Sequence, residues 1–90
     1  MQEVWVFNGV GGAFPSGVFD AVDVAELWIA KYQLSGTLTE YPIGVGVFDW
    51  AIDRGLFKPK VGRVYDANFI GQFTSASMRH FHYEDGVKTM

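Results

Sequence analysis

The chain has 90 residues and a formal net charge of −3, with 49% apolar, 17% aromatic and 19% charged residues. These values are typical of one globular domain spanning residues 1–90, and they exclude a disordered chain. The basic cluster of Lys58, Lys60 and Arg63 is too small for a nucleic-acid-binding surface, and no stretch is long and apolar enough to span a membrane.

Cysteine is absent, so disulfides and thiolate metal sites are excluded. The N-terminal stretch MQEVWVFNG has no basic region followed by a long apolar segment, as a secretory signal would have. A chain without cysteine suits a reducing compartment, and we therefore expect a cytoplasmic protein.

The number of aromatic side chains is high for this length, with three Trp, four Tyr and eight Phe. A large aromatic side chain buries roughly 150–250 Å². This set exceeds what one small core is expected to hide, so we expect a homo-oligomer in which some rings are covered by another subunit.

The first predicted element is a strand at EVWVF, residues 3–7, followed by a glycine-bearing turn at NGVGG and a returning strand at AFPSGVF. Val4 and Val6 face one way, whereas Trp5 and Phe7 face the other. Because both faces are apolar, we expect an internal strand that is either covered on both sides within the chain, or covered by a helix on one side and by a second subunit on the other.

A helix is predicted to begin at Asp20, whose carboxylate would cap the free backbone N–H groups, and to end at Ser35 and Gly36. Its core-facing stripe is predicted from the 3.6-residue period to contain Ala21, Val24, Ala25, Trp28, Ile29 and Tyr32. Leu27 falls outside this stripe. The stretch GTLTEYP that follows is predicted to be a strand that stops at Pro42.

A second helix is predicted from about Gly46 to Arg54, with Gly55 as its left-handed cap. Trp50 lies outside the apolar stripe of this helix, next to Arg54. Trp and Arg are favoured residues of protein interfaces, so this pair is a candidate partner-binding site. The alternative is that Trp50 folds back under the following loop and that Arg54 stacks on it.

The stretch DANFIGQFTSAS is predicted to be a third helix that is capped by Asp66. Its predicted inward side chains are Phe69, Ile70, Phe73 and Ala76. MRHFHYED then alternates as a strand does, and the Asp85 and Gly86 pair indicates a tight turn.

In that last strand, alternation places His80, His82 and Glu84 on the face opposite Phe81 and Tyr83. Two imidazoles and a carboxylate at this spacing could hold one Zn²⁺ if a further ligand came from Asp49, Asp53 or another subunit. The alternative is that these three side chains are half-exposed and make only local hydrogen bonds.

The sequence carries no catalytic motif, so enzyme activity is not expected. Ser75, Ser77, His80, His82 and Asp85 are close in sequence, but the GxSxG turn of a hydrolase nucleophile is absent. The glycines of NGVGGAF lack the third position and the following helix of a dinucleotide-binding loop.

Several stretches together resemble a small bacterial domain family of unknown function: VWVFNG, FPSGVF, AELWI, LSGTLTEYP, FDWAIDRGLFKPK, FIGQFTSAS and HFHYEDG. The resemblance covers nearly the whole chain, from Glu3 to Gly86. It implies a compact, stand-alone bacterial domain, and it carries over no catalytic residues.

The expected fold class is α+β, an antiparallel sheet of about four strands with two or three helices packed mainly on one face. The leading hypothesis for function is a non-enzymatic, dimeric interaction module that acts through a protein partner, without a cofactor. The alternative is a protein that binds a metal or another small ligand through His80, His82 and Glu84.

Overall fold

A computed structural model describes residues 2–89, which form two compact units. The first, which we call the sheet unit, comprises residues 2–43 and 78–89, and the second, which we call the helical unit, comprises Gly44–Ser77. The elements in chain order are β1 (Glu3–Gly9), β2 (Gly17–Phe19), α1 (Val22–Lys31), β3 (Gly36–Pro42), α2 (Val47–Asp53), α3 (Ala67–Gln72), β4 (His80–Glu84) and β5 (Val87–Lys88).

The sheet unit is built on a five-stranded antiparallel sheet with the strand order β2-β1-β3-β4-β5. This confirms the α+β class and the internal position of β1. The strand beyond the expected number is β5, which has only two residues. It pairs with β4 across a turn in which Asp85 and Gly86 both have positive φ angles, as a type I′ hairpin turn requires.

One face of the sheet carries the core. Phe7 lies opposite Leu38, and Leu38 lies opposite Phe81, so these three side chains share a face. Helix α1 packs on that face through Ala25 and Ile29, which are fully buried. The other buried members of this core are Trp5, Phe7, Leu38 and Tyr83.

The predicted stripe of α1 is partly wrong. Ala25, Trp28 and Ile29 face the core, but Val24 is 49% exposed and Tyr32 is 57% exposed. Helical periodicity gives the width of an apolar stripe but not its centre, and here Val22 packs against the core instead of Val24. The helix also ends at Lys31, before the predicted end at Ser35 and Gly36, because Gln33 adopts a left-handed conformation with φ of 52°.

The predicted cap of α1 is also wrong. Ala21 is the N-cap residue, and its position has no capping hydrogen bond from a side chain. The Asp23 carboxylate accepts a hydrogen bond from the neighbouring Val24 N–H at 3.0 Å, in the first helical turn where a negative charge is favourable.

In the helical unit, α2 follows the sequence-based prediction, since it is flanked by Gly46 and Arg54 and Gly55 has a φ of 71°. Helix α3 begins as predicted, because Asp66 Oδ1 accepts a hydrogen bond from Phe69 N at 2.8 Å. However, α3 ends at Gln72. The residues that follow are poor helix formers, and Ser75 Oγ accepts a hydrogen bond from Ser77 N instead.

Two of the inward positions predicted for this segment are wrong, one inside α3 and one beyond its end. Ile70 is 41% exposed and Ala76 is exposed, whereas both were predicted to face inward.

Among the described residues, no helix is long and apolar enough to cross a membrane.

Candidate functional site

Trp50 and Arg54 are brought together by α2. They lie one helical turn apart, and the Arg54 guanidinium carbon is 5.3 Å from the centroid of the Trp50 ring. Trp50 is half-buried and Arg54 is exposed. The stacking of Arg54 on Trp50, which the alternative to partner binding predicted, is therefore present. It leaves the Arg54 guanidinium accessible. The role of this pair in partner binding stays a prediction.

The helical unit also contains an aromatic cluster of five rings, which come from α2, α3 and the residues between and after these helices. Each ring has at least one neighbour in the set with centroids between 5.0 and 6.2 Å apart. Its members are Phe48, Phe57, Tyr65, Phe69 and Phe73. None of these residues is fully buried, and Ala51 is the one fully buried residue among those that the structure describes in this unit.

A basic loop, residues 56–64, adjoins the aromatic cluster. The Arg63 guanidinium lies 4.8 Å from the Tyr65 ring centroid and 5.9 Å from that of Phe69. Lys60 N donates a hydrogen bond to the Tyr65 hydroxyl at 3.1 Å. The loop also exposes apolar side chains, since Val61 is fully exposed and Val64 is 91% exposed. The surface of this unit thus combines positive charge with apolar area.

The predicted metal-binding residues share a face of β4, as alternation requires. His80, His82 and Glu84 are exposed, and the two imidazole rings meet edge to face with centroids 5.2 Å apart. His80 Nδ1 lies 2.7 Å from the Met78 carbonyl oxygen, which can only accept, so Nδ1 carries the proton and Nε2 is left free. His82 Nδ1 lies 3.4 Å from Thr37 Oγ1.

Within residues 2–89, no group of three or more His, Cys, Asp or Glu side chains is arranged to hold a metal ion. The imidazole pair could supply two ligands. The remaining positions of a tetrahedral site would have to be filled by side-chain movement or by another molecule. Zinc binding at His80, His82 and Glu84 therefore stays a prediction.

The sheet unit has a cleft that sequence reasoning missed. Its volume is about 670 Å³, and it lies where β1 and β4 end and β3 begins. A row of polar side chains crosses it, since Asn8 lies opposite Thr37 and Thr37 lies opposite His82. Alternation within each strand indicates which side these residues face. Only the register between strands shows that they are neighbours.

A separate group of polar side chains joins α1 to β4 and β5. Glu26 Oε2 accepts a 2.6 Å hydrogen bond from the Tyr83 hydroxyl and lies 2.8 Å from Lys88 Nζ. The hydrogen bonds from Lys88 and then Tyr83 lower the pKa of Glu26. Burial, and then the Glu26 carboxylate, raise the pKa of Tyr83. This group stabilises the fold and presents no open site.

The comparison with protein families settles the membership of the chain. The family profile described as "Domain of unknown function (DUF7710)" matches residues 4–89. The chain belongs to this family. The DUF7710 match spans both the sheet unit and the helical unit, and it confirms the resemblance to a family of unknown function. No curated protein and no solved structure matched the chain.

Proposed function

We propose that this protein is a non-enzymatic, dimeric interaction module of the bacterial cytoplasm that acts through a protein partner. The proposed contact surface consists of Trp50, Arg54 and the basic loop of the helical unit. The observation that carries the proposal is the aromatic cluster, whose rings pack on one another while none is fully buried.

Size supports this proposal. The helical unit is shorter than the roughly 40 residues below which a single core usually needs a disulfide, a metal or an oligomer for stability. It has no cysteine. Covering part of its aromatic and aliphatic surface by another protein would remove apolar area from water, at about 25 cal/mol per Å².

Trp50 and Arg54 suit the centre of such a surface. Residues of these two types often contribute most of the binding energy of an interface, because they offer large rigid area together with hydrogen-bond donors. The cation–π contact holds the Arg54 side chain over the Trp50 ring before any partner arrives. Less side-chain entropy is then lost on binding.

Charge favours a second copy of the chain as the molecule that covers the proposed contact surface. The described ion pairs, Arg79 with Glu40 and Lys88 with Glu26, both lie in the sheet unit. The chain is acidic overall, yet Lys58, Lys60 and Arg63 of the basic loop make no ion pair among residues 2–89. A second copy therefore supplies carboxylates that this loop can attract.

Light scattering of the purified chain over a range of concentrations tests the proposal. We expect a dimer, and we expect the double variant Trp50→Ala with Arg54→Ala to be a folded monomer. The matched control is Lys31→Ala with Tyr32→Ala, which removes another exposed cation–aromatic contact, with 5.1 Å between Lys31 Nζ and the Tyr32 ring centroid. A monomeric wild type, or equal dissociation of both double variants, would contradict the proposal.

The adjacent imidazoles favour a second candidate function, which is binding of Zn²⁺ through His80, His82 and Glu84. A metal that binds only the native state raises the melting temperature. Metal analysis of the purified protein should then find stoichiometric Zn²⁺. Added Zn²⁺ should raise the melting temperature of the wild type but not that of His82→Ala. Equal melting curves with and without Zn²⁺ would exclude this candidate.

A further inference from the structure

The cleft of the sheet unit has the size of a small-molecule site. Its volume of about 670 Å³ falls within the roughly 300–1,000 Å³ of typical ligand pockets. It is formed within one unit by the end of β1 with its following loop, the start of β3, the β4–β5 hairpin and Thr89. It does not involve Trp50, Arg54 or the basic loop, so it is independent of the proposed interaction surface.

The walls of the cleft are held in place by hydrogen bonds between loops. Val10 N donates to the Ser35 carbonyl at 3.0 Å, and Asp85 N donates to Ser35 Oγ at 3.0 Å. On the hairpin side, Gly86 N donates to the Leu34 carbonyl at 2.8 Å. These contacts connect three chain segments around the opening. The shape of the cleft is thus preformed, which lowers the entropy cost of binding a ligand.

The polar row across the cleft offers both donors and acceptors. The Asn8 amide, the Thr37 hydroxyl and the His82 ring come from three adjacent strands and lie at opposed positions. The Thr89 hydroxyl donates to the His82 carbonyl at 3.3 Å and lines the same cleft. Converging hydrogen-bonding groups of this kind orient a polar ligand.

The charge of the lining selects the kind of ligand. Glu84 and Asp85 are the charged side chains that line the cleft, and no Lys or Arg is among the lining residues. An anion placed here would be repelled by two carboxylates. A protonated amine can donate charge-assisted hydrogen bonds to a carboxylate, and its other polar groups can bond to Asn8 and Thr37.

We propose that this cleft binds a small amine, with the ammonium group at Glu84 and Asp85 and the rest of the molecule along the row of Asn8, Thr37 and His82. The site shares His82 and Glu84 with the candidate zinc site but does not include His80, which does not line the cleft. His80→Ala therefore separates the two candidates, because it removes a zinc ligand and leaves the cleft unchanged.

Nuclear magnetic resonance of the isotopically labelled full chain tests this inference, with ethanolamine and putrescine as probes and sodium chloride at matched ionic strength as the reference. Both amines should give saturable shifts of the amide signals of Ser35, Thr37, His82 and Asp85. Glucose and inorganic phosphate, which lack an ammonium group, should give none. His80→Ala should bind the amines as the wild type does.

Variants that remove the carboxylate charges of Glu84 and Asp85 test whether these charges bind the amine. Glu84→Gln and Asp85→Asn should each weaken amine binding about tenfold, since a charge-assisted hydrogen bond contributes on that order. Asn tolerates the positive φ of Asp85, so the turn should persist. The control is Glu3→Gln with Asp20→Asn, which removes two exposed carboxylates outside the cleft.

Three results would overturn the inference. The first is the absence of saturable shifts with both amines. The second is an equal loss of amine binding in the control and cleft variants, which would indicate general charge attraction. The third is phosphate binding in the cleft, which would contradict the assigned charge of the ligand. A dimer or a monomer in light scattering bears only on the interaction proposal, so the two can fail separately.

Discussion

The hydroxyl of Tyr83 donates a 2.6 Å hydrogen bond to Glu26, which connects the β4 strand to helix α1 across the core face. The same carboxylate oxygen of Glu26 lies 2.8 Å from Lys88 Nζ on β5. One side chain of α1 thus contacts both strands at this edge of the sheet. These contacts shift the pKa values of Glu26 and Tyr83 in opposite directions, so the two residues make the stability of the protein depend on pH in opposite ways.

Glu26→Gln should make the protein less sensitive to acid. The pKa of Glu26 is lowered from its ordinary value of 4.5, chiefly by the hydrogen bond from Lys88. Its contribution to stability is therefore complete above pH 4.5 and is lost as the pH falls through the lowered pKa. Urea unfolding at neutral and at acidic pH should show a smaller difference in unfolding free energy for the variant. An unchanged difference would contradict the assignment.

Tyr83→Phe should make the protein less sensitive to alkali. The pKa of Tyr83 is raised above its ordinary value of 10.0 by burial and by the Glu26 carboxylate. Its contribution is complete below pH 10.0 and is lost as the pH rises through the raised pKa. At neutral pH the variant should lose about 1.5–3 kcal/mol of unfolding free energy, because a hydrogen bond to a charged group is removed. Tyr32→Phe, at an exposed position, is the control for both measurements.

Gly36→Ala should destabilise the sheet by about 2–3 kcal/mol, since it forces atoms into a packed site. A Cβ at Gly36 would overlap the Asn8 carbonyl oxygen and lie 2.8 Å from Cζ of Phe7, which is buried. The matched control is Gly71→Ala in α3, where a Cβ meets no atom within 4 Å. Alanine has the higher helix propensity, so the control should be neutral or stabilising. Thermal melts of both variants test this, and a neutral Gly36→Ala would contradict the close packing.

Asp66→Ala and Asp20→Ala should differ, although both residues were predicted to cap helices. Asp66 accepts the capping hydrogen bond of α3, and its loss should cost about 1 kcal/mol of helix stability. Asp20 caps nothing, because the N-cap residue of α1 is Ala21, so Asp20→Ala should change stability by less than about 0.5 kcal/mol. Hydrogen exchange of the amides of α3 and α1 measures the two effects locally. Equal protection losses would contradict the observed caps.

Features that depend on a few neighbouring residues could be predicted from the sequence. The β3 strand has the predicted bounds, Gly36–Pro42, because β-branched residues are followed by a proline. The left-handed Gly55, the Asp66 cap and the turn at Asp85 and Gly86 are also as predicted. Each is a local choice of backbone angles, and the residue type alone restricts those angles strongly.

Features that depend on contacts between distant segments could not be predicted. Tertiary packing placed Val22 in the core and left Val24 and Tyr32 exposed, because the stripe that α1 buries is set by the sheet beneath it. The pairing register placed Asn8, Thr37 and His82 side by side, although they lie far apart in the chain. Alternation along a strand indicates which face of the sheet a side chain takes. The residue beside it on the next strand depends on the pairing register, and the packing of the whole sheet determines that register.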